Sequence, residues 1–339
     1  MRASFVKPIF VMLLWGVLLS FPQVMWASCG AASCPLDTTS HESRPPGWMR
    51  VGYQWEYIDQ DEHRLGRRNA SFGEVRGHHD EASTINRLQR LSAAAGLTDR
   101  LSVEAQLPII SRSHAHIHHH QGKDLLERWS VTGVGDLALL ARYAFWKPTS
   151  PAWPTLSALL GGEFPTGTHH AKNDDGDEAE PPIQPGSNSY DLILGASSLQ
   201  TFTAPTLTGH AARLPLFTSV QGQFNGSGND DYRVGDTLTV NVGTSYPLTS
   251  WLGLTTQLNV LIKDRDGIGQ TGEEVQKTGG EFVYVSPGVE WRPTDQWRAF
   301  ALVQLPIYQR VNSLQVVSDY NVLVGLEYRF RAWGEPRPK

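Results

Sequence analysis

The amino-acid sequence predicts an all-β protein: a transmembrane, antiparallel, up-and-down β-barrel of about 12 strands. Three observations support this class. Apolar and polar residues alternate along the predicted strands, short and long connections alternate between them, and the chain begins with an export signal. Alternation with a period of two gives each strand one apolar and one polar face, as a wall between lipid and a polar lumen requires.

Residues 1–27 have the pattern of a signal peptide. A short basic start precedes an apolar run from Ile9 to Phe21, and small residues around Ala27 offer a cleavage site. The apolar run is short for a membrane-spanning helix, although a retained anchor is an alternative. A lipoprotein acylated at Cys29 is disfavoured because Trp26 stands where an aliphatic residue is needed. Export of a barrel predicts the outer membrane of a Gram-negative bacterium as its location.

Residues 28–47 are expected to form a periplasmic N-terminal leader, which carries both cysteines of the chain, Cys29 and Cys34. Export leads to an oxidising compartment, so a disulfide closing a short loop is the favoured interpretation. A redox or metal role has less support. Four intervening residues exceed the Cys-x-x-Cys spacing, and the leader offers no helix N-terminus that would lower a thiol pKa.

The barrel is expected to span residues 48–331, and residues 332–339 would form a C-terminal tail. The alternation is clearest along residues 252–263, where Leu254 and Leu258 share one face while Gln257 and Asn259 share the other. A helix would scatter these residues around its axis. Runs of this kind define twelve predicted strands, an even number as in bacterial single-chain barrels: 48–59, 84–97, 100–110, 132–146, 154–164, 189–200, 208–224, 234–247, 251–264, 279–292, 296–310 and 320–331.

The predicted connections alternate strictly in length. The short ones are 97–100, 147–153, 201–207, 247–250 and 293–296, and the long polar ones are 60–83, 111–131, 165–188, 225–233, 265–278 and 311–319. Outer-membrane barrels have short periplasmic turns and longer external loops, so both chain ends are expected in the periplasm. Because lipid tolerates no unpaired backbone groups, the last strand must pair with the first.

Aromatic residues near the strand ends fit the girdles that mark membrane interfaces. The tryptophans concerned are Trp48, Trp146, Trp153, Trp251, Trp291 and Trp297. The segment Gly325-x-x-Tyr328-x-Phe330 resembles the C-terminal signal that the outer-membrane assembly machinery recognises, except that residues 331–339 continue beyond it. The expected partners are therefore outer-membrane lipid, lipopolysaccharide and that machinery.

A set of short motifs, in this order, covers most of the predicted barrel: Gly133-Val134-Gly135-Asp136, Phe164-Pro165-Thr166-Gly167, Gly186-Ser187 with Asp191, Ser286-Pro287-Gly288-Val289-Glu290-Trp291, and Leu305-Pro306-Ile307-Tyr308-Gln309. The set resembles the family of outer-membrane proteins linked to the meta-cleavage pathway of phenol degradation. The resemblance implies a transporter-like β-barrel. It supplies neither a ligand nor a catalytic residue.

Histidine is concentrated in the first three predicted external loops, and the densest run holds His114, His116, His118, His119 and His120. Imidazole suits copper and zinc, and alternate residues of an extended segment point the same way. A metal-capturing loop therefore competes with a solvated surface loop and with a pH-responsive loop. The acidic run 174–180 lacks the EF-hand layout, which favours a solvated loop with at most loose binding of divalent ions.

Charged residues also fall on the predicted lumen faces of several strands: Glu104, Arg142, Lys263, Glu290, Arg298, Glu327 and Arg329. They would either neutralise one another in pairs that fill the barrel or screen a polar solute by field and hydrogen bonding. Their mixed signs argue against strong ion selectivity.

No enzymatic activity is expected, because His210 is the only histidine on a predicted strand and no serine segment resembles a barrel phospholipase. No phosphate-binding glycine loop and no basic aromatic stripe for nucleic acid is present. The leading hypothesis is passage of a small solute, with hydrophobic or aromatic compounds suggested by the family resemblance. The alternative is a surface metal-binding barrel that holds copper or zinc on its His-rich loops.

Overall fold

The computed structural model describes residues 36–38, 45–75, 79–120, 123–150, 153–172, 176, 178–205, 211–267, 275 and 277–334. The predicted signal peptide, Cys29, Cys34 and His210 lie outside these ranges. The strands are β1 Trp48–Leu65, β2 Arg68–Asn69, β3 His79–Gly96, β4 Leu101–His120, β5 Lys123–Val134, β6 Leu137–Trp146, β7 Thr155–Phe164, β8 Asp191–Pro205, β9 Ala211–Phe224, β10 Thr237–Pro247, β11 Leu252–Lys263, β12 Gly280–Trp291, β13 Trp297–Val311 and β14 Leu314–Arg331. Among the described residues, no helix is long and apolar enough to span a membrane.

The strands form one antiparallel sheet that closes on itself. Neighbours in sequence pair with one another, and β14 pairs with β1 from Trp48↔Arg331 to Leu65↔Leu314. The wall has twelve strands, because β2 only adds two residues to the edge of β1 and because β5 and β6 are two parts of one strand. The predicted twelve-stranded antiparallel barrel is confirmed.

The outer face of the wall is apolar and the inner face is polar, which is the reverse of the arrangement in a soluble protein. On β11, Leu258 is 43% exposed on the outside, whereas the neighbouring Asn259 is 0% exposed on the inside. Burying polar groups is favourable only when they are hydrogen-bonded, and Asn259 donates to Asn241 Oδ1 at 2.7 Å and accepts from Ser286 Oγ at 2.6 Å. This polarity is the one expected for a wall between hydrocarbon and a polar lumen.

Three of the short connections share a threonine that closes the turn. Thr98, Thr249 and Thr294 each accept a hydrogen bond through Oγ1 from the backbone N of the residue three positions later, at 2.9, 3.0 and 3.2 Å. Hydroxyl side chains commonly stabilise turns in this way. These turns lie at the places that the sequence predicts.

The prediction of long loops at 60–83, 111–131 and 311–319 was wrong, because most of these residues belong to strands. β1 continues to Leu65, β4 continues to His120, and β14 begins at Leu314. The backbone hydrogen bonds between neighbouring strands continue beyond the point at which the outer face becomes polar. Counting apolar residues finds the lipid-facing part of a strand and misses its polar extension.

The wall is interrupted once, at Gly135 and Asp136, within the single strand predicted at 132–146. β4 pairs with β6 through Gln106↔Ala138 and then with β5 from Ile109↔Val134 onward. On the other side, β7 ends at Phe164, opposite Leu137. β7 therefore offers no partner to β5, and the chain that follows β7 folds inward.

Candidate functional site in the barrel lumen

An ionic cluster crosses the lumen near the periplasmic ends of the strands. Arg50 is 2.8 Å from Glu327 and 3.0 Å from Glu104, and Arg298 is 2.6 Å from Glu290 and 3.1 Å from Glu327. Arg50 and Glu327 are 3% and 2% exposed. Buried charges are tolerated when they are paired and hydrogen-bonded. The members of this cluster come from five separate strands and pair in this way.

The structure brings together four of the seven charged residues predicted in the lumen: Glu104, Glu290, Arg298 and Glu327. Arg142 instead donates to Ser197 Oγ at 2.7 Å, and Lys263 lies 3.5 Å from Asp266 near the other end of the barrel. Arg329 is exposed close to the end of β14.

Arg50, a central member of the cluster, was missed by the sequence analysis. Its position could have revealed it, since it has the same parity along β1 as the buried Gln54 and Glu56.

Part of the predicted periplasmic leader lies inside the barrel. Leu36 packs with Phe300, Leu302 and Leu323. The sequence instead predicts residues 28–47 as a leader in the periplasm. The next two residues, Asp37 and Thr38, are held by hydrogen bonds from four different strands, donated by Ser219 Oγ, Gln257 Nε2, Gln54 Nε2 and Arg298 Nη1. We call Leu36–Thr38 the internal segment. It lies inside the barrel at the end where β1 begins and β14 ends, which the sequence predicts to face the periplasm.

Asp136, at the break in the wall, holds the chain that follows β7. Its Oδ1 accepts a hydrogen bond from Gly167 N at 2.8 Å, and its Oδ2 accepts from Ser187 N at 2.7 Å. We call residues 165–190 the inward segment. Ile183, within it, packs with Val131 of β5, so the segment covers the inner face of that strand.

Glycine allows the close packing at this point. A Cβ added to Gly167 would lie 2.7 Å from the backbone of Gly135 and 2.9 Å from Gly186. The motifs Gly133–Asp136, Phe164–Gly167 and Gly186-Ser187, which are far apart in sequence, therefore meet in one place. Sequence spacing gave no signal that they would do so.

A cavity of about 260 Å³ lies in the extracellular half of the lumen, beside the inward segment. We call it the vestibule. The hydrogen-bonded set Gln60, Asn86 and Arg112 lines one part: Asn86 Nδ2 donates to Gln60 Oε1 at 2.9 Å, and Arg112 Nε donates to Asn86 Oδ1 at 2.6 Å. Arg112 also donates to Pro182 O at 2.5 Å, which ties the inward segment to β4. The vestibule is smaller than the sites that hold drug-sized ligands.

The histidine run lies on β4 and not in a loop. His114 and His116 point into the lumen beside the vestibule, at 8% and 2% exposure. His114 Nδ1 is 2.7 Å from Thr84 Oγ1, and its Nε2 is 3.1 Å from His116 Nδ1. His116 Nε2 lies 3.2 Å from Glu127 Oε2.

The predicted copper or zinc site remains a prediction. The side chains of His118, His119 and His120 lie outside the described set. Within that set, no three His, Cys, Asp or Glu side chains are grouped so that they could hold a metal ion.

No protein-family model matches the chain, and no curated protein matches it. Among solved structures, an outer-membrane channel from Pseudomonas putida F1 is similar with a TM-score of 0.61 and 15% identity, covering 87% of this chain and 100% of that chain. Identity at this level shows the fold alone. The fold of this chain is thus similar to that of an outer-membrane channel.

Two other solved structures are less similar. The toluene transporter TodX of P. putida has a TM-score of 0.44 and 11% identity, and a FadL homologue from Pseudomonas aeruginosa has 0.42 and 10%. Each alignment covers 85% of this chain and 91% of the other. These scores are too low to carry an argument about this chain.

Proposed function

We propose that this protein is an outer-membrane channel for small solutes, and that hydrophobic or aromatic compounds are the class it passes. The observation that carries the proposal is the vestibule inside a closed barrel whose outer face is apolar and whose inner face is polar. A wall of this polarity suits hydrocarbon outside and a polar path inside. The similarity to an outer-membrane channel supports the fold on which this function depends, and the phenol-pathway resemblance suggests the substrate class.

Outer-membrane location is part of the proposal. Aromatic residues lie at the periplasmic ends of the outer face, where Trp297 packs against Tyr328 with ring centroids 4.7 Å apart and Tyr328 stacks on Phe330. Such a girdle suits the interface between lipid headgroups and water. Lipopolysaccharide and the assembly machinery are the partners that this location implies.

Passage requires the internal segment to move, because it occupies the periplasmic half of the lumen. The contacts that hold its described residues include the burial of Leu36 and the hydrogen bonds to Asp37 and Thr38. A net hydrogen bond contributes about 1 kcal/mol, and burying one leucine contributes about 2 kcal/mol. These contacts together favour the closed state by about 6 kcal/mol, so the wild type is expected to open only rarely and briefly.

Single-channel recording of the full chain in planar bilayers tests this proposal. Leu36→Asp places a charge in the apolar pocket of Phe300, Leu302 and Leu323, and we expect it to raise the mean conductance several-fold over the wild type. Leu97→Asp is the matched control, since Leu97 is exposed in a periplasmic turn. If neither the wild type nor Leu36→Asp conducts, passage through the lumen is wrong. Flux in the wild type that Leu36→Asp does not change would show that the internal segment is no barrier.

The substrate class needs a separate test in the native bacterium. A deletion strain is expected to grow more slowly than its parent on single-ring aromatic compounds at low concentration, and to grow normally on succinate. Complementation with the wild-type chain should restore growth. Equal growth of both strains on every aromatic compound would remove the aromatic part of the proposal.

A further inference from the structure

The balance of charge in the lumen differs between its two halves. The mixed signs of the charged residues along the sequence had suggested little ion selectivity. In the periplasmic half, three arginines meet three glutamates: Arg292 lies 2.7 Å from Glu290 and completes the cluster of Arg50, Arg298, Glu104, Glu290 and Glu327. Charges that are paired in this way leave little net field. Selectivity for charge therefore has to arise elsewhere in the lumen.

The vestibule has an excess of acidic groups. Six carboxylates line it: Glu81, Asp136, Glu163, Glu180, Asp191 and Asp266. Among the described residues, three permanently cationic side chains line it, Arg112, Lys263 and Lys277, and its histidines add charge only when protonated.

The three cations are themselves engaged by other groups. Lys263 lies 3.5 Å from Asp266, Lys277 lies 3.4 Å from Asp80, and the guanidinium of Arg112 donates to Asn86 and to Pro182. The two lysines are thus paired with carboxylates, whereas Arg112 keeps its charge and directs its guanidinium to neutral acceptors.

Glu163 and Asp191 lie together on one side of the vestibule. The amide nitrogen of Gln223 donates to both, at 2.9 Å to Glu163 Oε2 and 3.2 Å to Asp191 Oδ2. Among the described residues, neither carboxylate, nor that of Asp136, forms an ion pair with a basic side chain. Two carboxylates that share one neutral donor create a local negative potential, and low-dielectric walls focus such a field on the space between them.

The vestibule also has apolar lining residues. Pro181, Pro182 and Pro185 of the inward segment line it together with Ile110. The volume of about 260 Å³ equals roughly eight waters in the liquid. A space of this size suits one ring with a short substituent.

We propose that the vestibule binds small organic cations, namely protonated amines that carry one apolar ring, and rejects carboxylates of the same shape. Rings of acidic side chains select cations in channels, and Glu163 and Asp191 act in that way here. The inference deepens the proposed function and depends on it for physiological meaning. The binding preference itself can be measured without any flux.

The test uses three probes of equal size: benzylammonium, neutral benzyl alcohol and benzoate. Their binding to the full chain in detergent is measured by calorimetry at low salt and at mildly alkaline pH, where benzylammonium is still protonated and carboxyl groups are ionised. We expect benzylammonium to bind on the order of tenfold more tightly than benzoate, because the focused field raises the local concentration of the cation and lowers that of the anion. Added salt should reduce the ratio.

Glu163→Gln should bring the ratio close to one, since the amide keeps the shape and removes the charge. Asp191→Asn is a second variant in case the first does not fold. The matched control is Glu62→Gln, because Glu62 is exposed above the membrane. Benzoate binding as tightly as benzylammonium, or an unchanged ratio in both vestibule variants, would overturn the inference.

The outcome is separable from that of the proposed function. A preference for benzylammonium in a protein that conducts in no recording would support the vestibule inference and reject passage. Conduction without any such preference would do the reverse.

Discussion

Asp136 accepts two hydrogen bonds from Ser187 through a single carboxylate oxygen, one from the backbone N at 2.7 Å and one from Oγ at 2.8 Å. The other oxygen accepts from Gly167 N. One side chain at the break in the barrel wall thus joins the beginning and the end of the inward segment. The position of that segment, and with it the shape of the vestibule, depends on this carboxylate.

Replacing Asp136 should loosen the inward segment. Asp136→Ala leaves the backbone donors of Gly167 and Ser187 without their acceptor, and we expect unfolding in urea to become easier by about 2 kcal/mol. Noise in single-channel recordings should rise as well. Asp136→Asn keeps one acceptor oxygen and should lose less. Stability equal to that of the wild type in Asp136→Ala would contradict this account of the inward segment.

A side chain at Gly167 should push the two ends of the inward segment apart. Gly167→Val would place carbon against Gly135 and Gly186, and overpacking of this kind costs about 1–3 kcal/mol. Limited proteolysis should then cut between residues 165 and 190 faster than in the wild type. Gly267→Ala is the control, because a Cβ there meets its nearest atom at 3.8 Å. Equal rates of cleavage in both variants would count against the prediction.

Arg298 and Arg329 should differ sharply when each is replaced by alanine. Arg298→Ala leaves Glu290 and Glu327 without one of their cations, and loss of one partner from a buried pair costs about 3 kcal/mol. Arg329 is exposed, so Arg329→Ala should change stability by less than about 0.5 kcal/mol. Urea unfolding followed by tryptophan fluorescence gives both values. Similar losses in the two variants would mean that the cluster contributes no special stability.

Above the membrane, the hydrogen bond from His170 holds the pKa of Glu178 below its usual range. A carboxyl group whose pKa is lowered in the folded loop stabilises that loop at pH values above its ordinary pKa. This stabilisation is lost as the pH falls through the lowered pKa. His170→Ala should therefore return the pKa of Glu178 toward its usual range, as measured by carboxyl-carbon NMR. Glu74 is an internal control, because the hydrogen bond from Arg68 lowers its pKa independently. A pKa for Glu178 that does not move would show that His170 is not the cause.

The sequence allowed the barrel to be predicted because each strand encodes its two faces. Leu258 and Asn259 show this most clearly, one facing lipid and the other fully buried inside. The extension of β4 through His114 and His116 was missed, since polar residues outnumber apolar ones there and the histidine run resembles a loop. Backbone pairing with β3 and β5 keeps that part extended.

The arrangement of the lumen was less accessible to prediction. Parity along a strand indicates that Glu327, Arg298 and also Arg50 face inward, but it does not indicate which inward side chains meet in one cluster. Contacts such as Asp136 with Ser187 and Asp37 with Ser219 join residues far apart in sequence. They depend on how connecting segments fold into the barrel, and no periodic pattern encodes this.

The seam between β1 and β14 joins the two ends of the barrel sequence, so its hydrogen bonds can form only after every strand between them is available. Pairing over such a separation closes slowly. Until closure, both terminal strands present open edges, which lipid excludes and which can join to other chains. A chain that lacks β14 should therefore stay unassembled and aggregate instead of closing into a smaller barrel, and the nascent chain needs protection until synthesis is complete.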